Sequence, residues 1–174
     1  MKRLLKSCVT ISVLSSIVIS PLFVGAGKAA AGTKASYAGG GVSAGVTNSG
    51  APGGDANVGG NITARFRLGE TGFSARGNVI FSEDTSAIVP EISKDFSIGK
   101  KTNFFVTGGV SLVEKEGNHT PLGNRDSITV GAGVETEVSK NVILYGNVKT
   151  GINAYEKSPA SAVNLNAGVG IRMY

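Results

Sequence analysis

From residue 58 the chain reads "VGGNITARFRL", and its residues sort into two sets by position alone. Val58, Gly60, Ile62, Ala64, Phe66 and Leu68 fall on one side; Gly59, Asn61, Thr63, Arg65 and Arg67 fall on the other. A period of two places successive side chains on opposite faces of a strand, whereas a helix would mix the sets. The alternation recurs in eight segments, 34–47, 58–68, 72–82, 87–98, 104–113, 127–138, 142–152 and 161–174. The first is dense in glycine, and the fourth contains Pro90, which removes a ladder donor. The fold class that follows is all-β.

The connections narrow the architecture. "GET", "GKKTN" and "SKN" are tight, and they alternate with "NSGAPGGDAN", "EDTS", "EKEGNHTPLGNRD" and "NAYEKSPA", mostly longer and richer in Gly, Pro and charge. An up-and-down meander puts all the short turns at one end and the others at the opposite end. Short turns at one end and longer loops at the other mark a transmembrane β-barrel, with the short end periplasmic. Strands of about 9–11 residues cross the hydrocarbon when tilted. The expectation is an eight-stranded antiparallel up-and-down transmembrane β-barrel, narrow enough for side chains to fill.

Residues 1–31 read as a cleaved secretory signal peptide: "MKRLLK", an apolar run broken by Pro21, then the small-residue stretch "GAGKAAAG". Cleavage fits after Ala31, with Ala26 as the competing site. The domain is then 32–174. Of the 17 basic residues, Lys2, Arg3, Lys6 and Lys28 precede Gly32, leaving 13 against 12 acidic residues, a net charge of +1. The basic character of the whole chain therefore belongs largely to the signal, and nucleic-acid binding loses its main support. The single cysteine, Cys8, also falls in the signal, so the mature chain has no disulfide and no thiolate metal site.

Alternation does not say which set faces inward: apolar side chains point into a soluble barrel and out of a membrane barrel. The polar set holds Arg65, Arg67, Arg76, Glu91, Asp95, Glu135, Glu137, Lys149 and Arg172, five positive and four negative. Near-balance is what close packing in a narrow lumen requires, because an unpaired buried charge is very costly. With the export signal and the loop asymmetry, this favours the membrane orientation. It predicts an ion-pair lattice in the periplasmic half that blocks a continuous pore. The apolar set includes Phe66, Phe73, Phe81, Phe96 and Phe104 among Val, Ile, Leu and Ala, with no Trp in the chain. Phe73, Phe96 and Phe104 lie beside the short turns as a partial aromatic girdle; Phe81 is the best candidate at the outer end.

The last segment ends "GVGIRMY", residues 168–174. In this, and in the unit "GAGVETEVSKNVILYGNVKTG" at 131–151, the chain resembles the small eight-stranded outer-membrane barrels of the outer-membrane protein A, outer-membrane protein X and opacity-protein type. Members of that family often finish on GVGYRF; here Ile and Met replace Tyr and Phe, and Tyr174 is added. The resemblance spans about 34 to 174 and implies a bacterial outer-membrane location and lipid contact. It also implies that Val169, Ile171, Met173 and Tyr174 form the signal read by the barrel-assembly machinery. The closing strand is expected to pair with the first, around Tyr37 to Val46.

Little in the sequence calls for catalysis, a cofactor or a metal. "GGG" at 39–41 is followed by neither a helix nor Lys-Ser/Thr, so it is no phosphate loop. His119, the only histidine, lies in the largest predicted outer loop near Thr120, Asp126 and Ser127. Loop tips position a nucleophile–base pair poorly. Glu114, Glu116 and Asp126 are read as solvated loop acids. The expected function is a non-enzymatic, monomeric outer-membrane barrel with an envelope-structural or surface-interaction role, its outer loops meeting an unknown ligand. The alternatives are a small porin-like channel and a soluble periplasmic barrel of lipocalin type. On strict alternation Met173 takes the lipid-facing place of the family's terminal aromatic. Deleting Tyr174 should therefore lower the yield of assembled barrel less than Val169→Ser/Ile171→Ser/Met173→Ser, scored by heat-modifiable gel migration of outer-membrane fractions. Complete loss from the single deletion would refute that register.

Overall fold

Eight strands account for the alternating segments: β1 (Tyr37–Gly45), β2 (Val58–Arg67), β3 (Phe73–Phe81), β4 (Ser86–Ser97), β5 (Thr102–Val113), β6 (Ser127–Glu137), β7 (Val142–Ile152) and β8 (Ala162–Arg172). The computed structural model describes residues 34–47, 57–83 and 85–174; the leader inferred at 1–31 lies outside the described residues. Each strand pairs with the next, every pair is antiparallel, and β8 returns to β1 to close the barrel. The closing register runs from Tyr37 opposite Arg172 to Gly45 opposite Asn164. Closure leaves no strand edge, which a hydrocarbon environment demands.

The two sets of the alternation take opposite faces. Arg65, Arg76, Glu91, Glu135 and Lys149 are buried in the lumen. Val42 is 65% exposed and Ile128 63% exposed on the outer wall, and Ile62, Ile92, Leu165, Val169 and Ile171 lie bare beside them. A soluble barrel of lipocalin type has the reverse arrangement. An apolar wall around a charged lumen is built to face hydrocarbon. Among the described residues no helix is long and apolar enough to cross a membrane.

The turns at 68–72, 98–101 and 138–141 lie at one end. The β1–β2 connection, described at 46–47 and at 57, leaves from the other end, as do those at 114–126 and 153–161 and the short β3–β4 connection between Phe81 and Ser86. Pro90 is accommodated inside β4 at a local cost. The β3–β4 ladder runs on through Gly77 opposite Pro90. The β4–β5 ladder passes from Ile88 opposite Leu112 to Glu91 opposite Gly109 with nothing paired between, as expected where a ladder donor is missing.

Aromatic rings in the lumen are matched by glycines on the neighbouring strand. Tyr37 and Tyr145 stack with ring centroids 6.1 Å apart. Their rings cover Gly170 and Gly168 of β8. A Cβ on Gly168 would come within 2.3 Å of the Tyr145 hydroxyl and 2.4 Å of the Gly40 carbonyl oxygen, while one on Gly77, on the outer wall, meets nothing within 4 Å. Overpacking of this kind costs about 1–3 kcal/mol. Gly168→Ala should lower unfolding stability in micelles by that amount, and Gly77→Ala should leave it unchanged or slightly raised. Equal effects of the two would show that the β8 glycines are not required for the tyrosine packing.

Candidate functional site

The lumen is filled in layers. In the short-turn half of the lumen, inside the rim, the alternation carries Arg65 of β2, Arg76 of β3, Asp95 of β4 and Glu135 of β6 to the same height. Arg65 pairs with Asp95 at 2.7 Å and with Glu135 at 2.9 Å. Arg76 pairs with the same two carboxylates, at 3.1 and 3.0 Å. Each carboxylate thus bridges two guanidiniums, and each guanidinium bridges two carboxylates. Hydroxyls and amides take up the remaining lone pairs. The Tyr37 hydroxyl donates to Glu135 at 3.0 Å, Asn103 donates to Glu135 at 3.1 Å, and Ser93 donates to Asp95 at 2.9 Å. Ser74 also donates to Asp95. The guanidinium of Arg76 lies 3.7 Å from the centre of the Phe105 ring. A buried quartet of this kind holds because its geometry and hydrogen bonds offset the desolvation of four charges.

A second layer sits at mid-height. Lys149 of β7 pairs with Glu91 of β4 across the lumen. Glu91 also accepts from Asn78 at 2.8 Å and from Thr107 at 3.2 Å. The Tyr145 hydroxyl donates to Asn61 at 2.6 Å, tying β7 to β2. Toward the loop end follow Asn166, hydrogen-bonded to Asn147, and Asn164, hydrogen-bonded to Ser43. At the short-turn rim, Arg172 pairs with Glu137. Arg67 stands outside the lattice. It is half-exposed near the same rim, and its contact is made by the main-chain N–H, which donates to Ser36.

The outer mouth is closed differently. The sequence suggests a solvated loop at 114–126, but its centre turns inward: Thr120–Asn124 are buried. Leu122 packs against Ile80 and Val89 on the inner wall. Thr120 and Gly123 bridge each other's backbones, and Asn124 donates to the Ala154 carbonyl of the last loop at 2.9 Å. Gly123 carries a φ of 111°, a conformation open to glycine and strained for other residues. Asn57 and Ser82 clasp the loop by donating to the His119 carbonyl at 2.7 and 2.8 Å. His119 itself is exposed, and the clasp uses its backbone oxygen rather than its imidazole. The signal for this cap is a break in the alternation: "NVIF" at 78–81 puts the apolar Ile80 on the polar side, and Val89 does the same in β4.

The exposed part of the outer end leans acidic. Among the described residues, Glu83, Glu114, Glu116, Asp126 and Glu156 face Lys115, Arg125 and Lys157. Among the described residues there is also no group of three His, Asp or Glu that could hold a metal ion.

No protein-family model matches the chain, and no curated protein does. Solved structures match in fold. Ail, the attachment invasion locus protein of Yersinia pestis, superposes with a TM-score of 0.55 at 14% identity, over 79% of this chain and 97% of that one. A second structure of Ail, in complex with the heparin analogue sucrose octasulfate, matches equally. Neisserial surface protein A superposes with a TM-score of 0.55 at 18% identity, over 79% of this chain and 96% of that one. The fold is that of the small eight-stranded outer-membrane barrels.

The two-layer lumen sets a clear stability hierarchy. Glu135 serves two arginines, a tyrosine and an asparagine, so Glu135→Gln leaves positive charge uncompensated in the buried lumen. The expected loss is about 3–5 kcal/mol. Arg67→Gln, at the rim and outside the lattice, should change stability by no more than about 0.5 kcal/mol. Urea titration of the barrel refolded in lipid vesicles measures both; comparable losses would refute the hierarchy.

Proposed function

We propose that the chain is a non-enzymatic, monomeric protein of the bacterial outer membrane, exported by its leader and inserted with its short turns in the periplasm. Its barrel acts as an occluded structural element, and its outer loops act as an interaction surface. One observation carries the reading: an apolar outer wall encloses a lumen filled by paired charge below and by the Leu122 cap above. A filled lumen supports a scaffold for loops better than a conduit. Assembly would rest on the outward row Val169, Ile171 and Met173, in and just past β8, as the part read by the barrel-assembly machinery.

The fold relatives support a surface role. One is named an attachment invasion locus protein and the other a surface protein. The ligand class need not carry over. A sulfated polyanion of the kind present in the second Ail structure would meet the acidic outer loops of this chain unfavourably. The loops favour a cationic or neutral partner.

Four measurements test the proposal. Detergent-refolded protein should show heat-modifiable gel migration, and cell fractionation should place it in the outer membrane; recovery in the soluble periplasm would end the membrane reading. In planar bilayers the wild type should give no steady single-channel conductance. A steady conductance that Arg65 or Glu135 neutralisation abolishes would replace the occluded barrel with a charge-lined channel. Lipid A mass profiles should be the same with wild type and with His119→Ala, since no acyl chemistry is assigned to that residue.

A further inference from the structure

The near-zero charge of the mature chain conceals a separation along the barrel axis. Inside the lumen three cations, Arg65, Arg76 and Lys149, meet three carboxylates, Glu91, Asp95 and Glu135, and cancel. Outside that lattice, the short-turn end carries Lys34, Arg67, Lys94, Lys100, Lys101 and Lys140, against Glu70 and the internally paired Arg172–Glu137. The opposite end leans acidic, as described above. The basic excess is therefore not spread over the molecule but gathered in a collar at one rim.

The position of Lys94 says what the collar meets. It lies on the outward row of β4 between Ile92 and Phe96, and directly across from Phe73 of β3 and Val106 of β5. That row faces hydrocarbon over most of its height. The Lys94 ammonium rests 4.3 Å from the centre of the Phe73 ring and donates to the Thr71 carbonyl of the short turn at 3.0 Å. Phe96 and Phe104 stand beside it, ring centroids 6.2 Å apart, as the girdle at this end. A lysine on a lipid-facing wall at the aromatic belt extends its ammonium to headgroup depth. Lys34, Lys100, Lys101 and Lys140 are exposed around the same rim, in the turns and just ahead of β1. At that depth the complementary anion is a lipid phosphate, not a soluble partner beyond the membrane.

We propose that this collar selects phospholipids of net negative charge, of the phosphatidylglycerol class, in the leaflet at the short-turn end. The inference rests on the outer-membrane reading. Each basic residue near an anionic surface contributes on the order of a fivefold preference, and salt screens it.

The test uses the full mature chain refolded in a neutral detergent and offered equal amounts of phosphatidylglycerol and phosphatidylcholine, with retained lipid counted by native mass spectrometry. Wild type should retain the anionic lipid in about fivefold excess or more, and high salt should erase the excess. Lys94→Gln/Lys100→Gln/Lys101→Gln/Lys140→Gln should equalise the two lipids, while Lys115→Gln/Lys157→Gln at the loop end should keep the wild-type excess. Equal retention by wild type, a preference that survives high salt, or one that the quadruple variant preserves overturns the proposal. Displacement of the lipid by a soluble peptidoglycan fragment would assign the collar to the cell wall instead, and also overturns it. A chain with no heat-modifiable band fails the membrane reading and this inference with it. A chain that keeps the band but binds both lipids equally fails this inference alone.

Discussion

The structure depends on one hydrogen-bonded seam, that between β1 and β8. A backbone amide exposed to hydrocarbon has no water to bond, so a sheet can stand in a membrane only when its edges meet. Here the seam runs through the most glycine-rich strand of the chain, with Gly39 and Gly41 opposite Gly170 and Gly168. The lack of side chains along that line gives Tyr37 and Tyr145 the room to lie across it. The terminal strand thus completes the wall and also forms the floor on which the lumen's aromatic pair rests.

Closure creates a second problem, which the charges solve. An eight-stranded barrel is too narrow for a water-filled bore, so whatever points inward must pack. Four charges in one layer survive only because each carboxylate bridges two guanidiniums and its remaining lone pairs meet Tyr37, Asn103, Ser74 and Ser93. The outer mouth is closed by apolar contact instead, with Leu122 on Ile80 and Val89. The two closures suit their surroundings: the charged layer lies deep in the barrel, and the apolar cap belongs to a loop that folds back from water.

Much of this was legible residue by residue. The alternation around Arg65, Arg76, Glu91, Glu135 and Lys149 marked the strands and their polar face, because a period of two is set locally by the pleat. The tight "GET" and "SKN" turns marked the short end for a similarly local reason. Which acid meets which base was not legible. Asp95 and Glu135 are far apart in the chain, and the height at which each enters the lumen depends on the register of every intervening pair. Arg67 shows the limit: it shares the parity of Arg65, yet two residues of rise put it at the rim and beyond the lattice. The inward fold of 114–126 escaped for a related reason. A stretch with Glu114, Lys115, Glu116, Asn118 and Arg125 reads as solvated, and one leucine in it finds a pocket only after β3 and β4 have placed Ile80 and Val89 together.

The sequence by itself determined the strand count, the two faces of each strand, the asymmetry of the ends and the near-neutrality of the charge set, since each is a property of neighbouring residues or of simple totals. Tertiary structure alone decided which acid meets which base in the lumen, that the remaining basic charge is gathered as a collar at one rim, and that the largest loop caps the mouth. Those outcomes depend on closure, which converts a linear order of strands into shared heights around a ring and so brings together side chains from strands that are not neighbours in the chain.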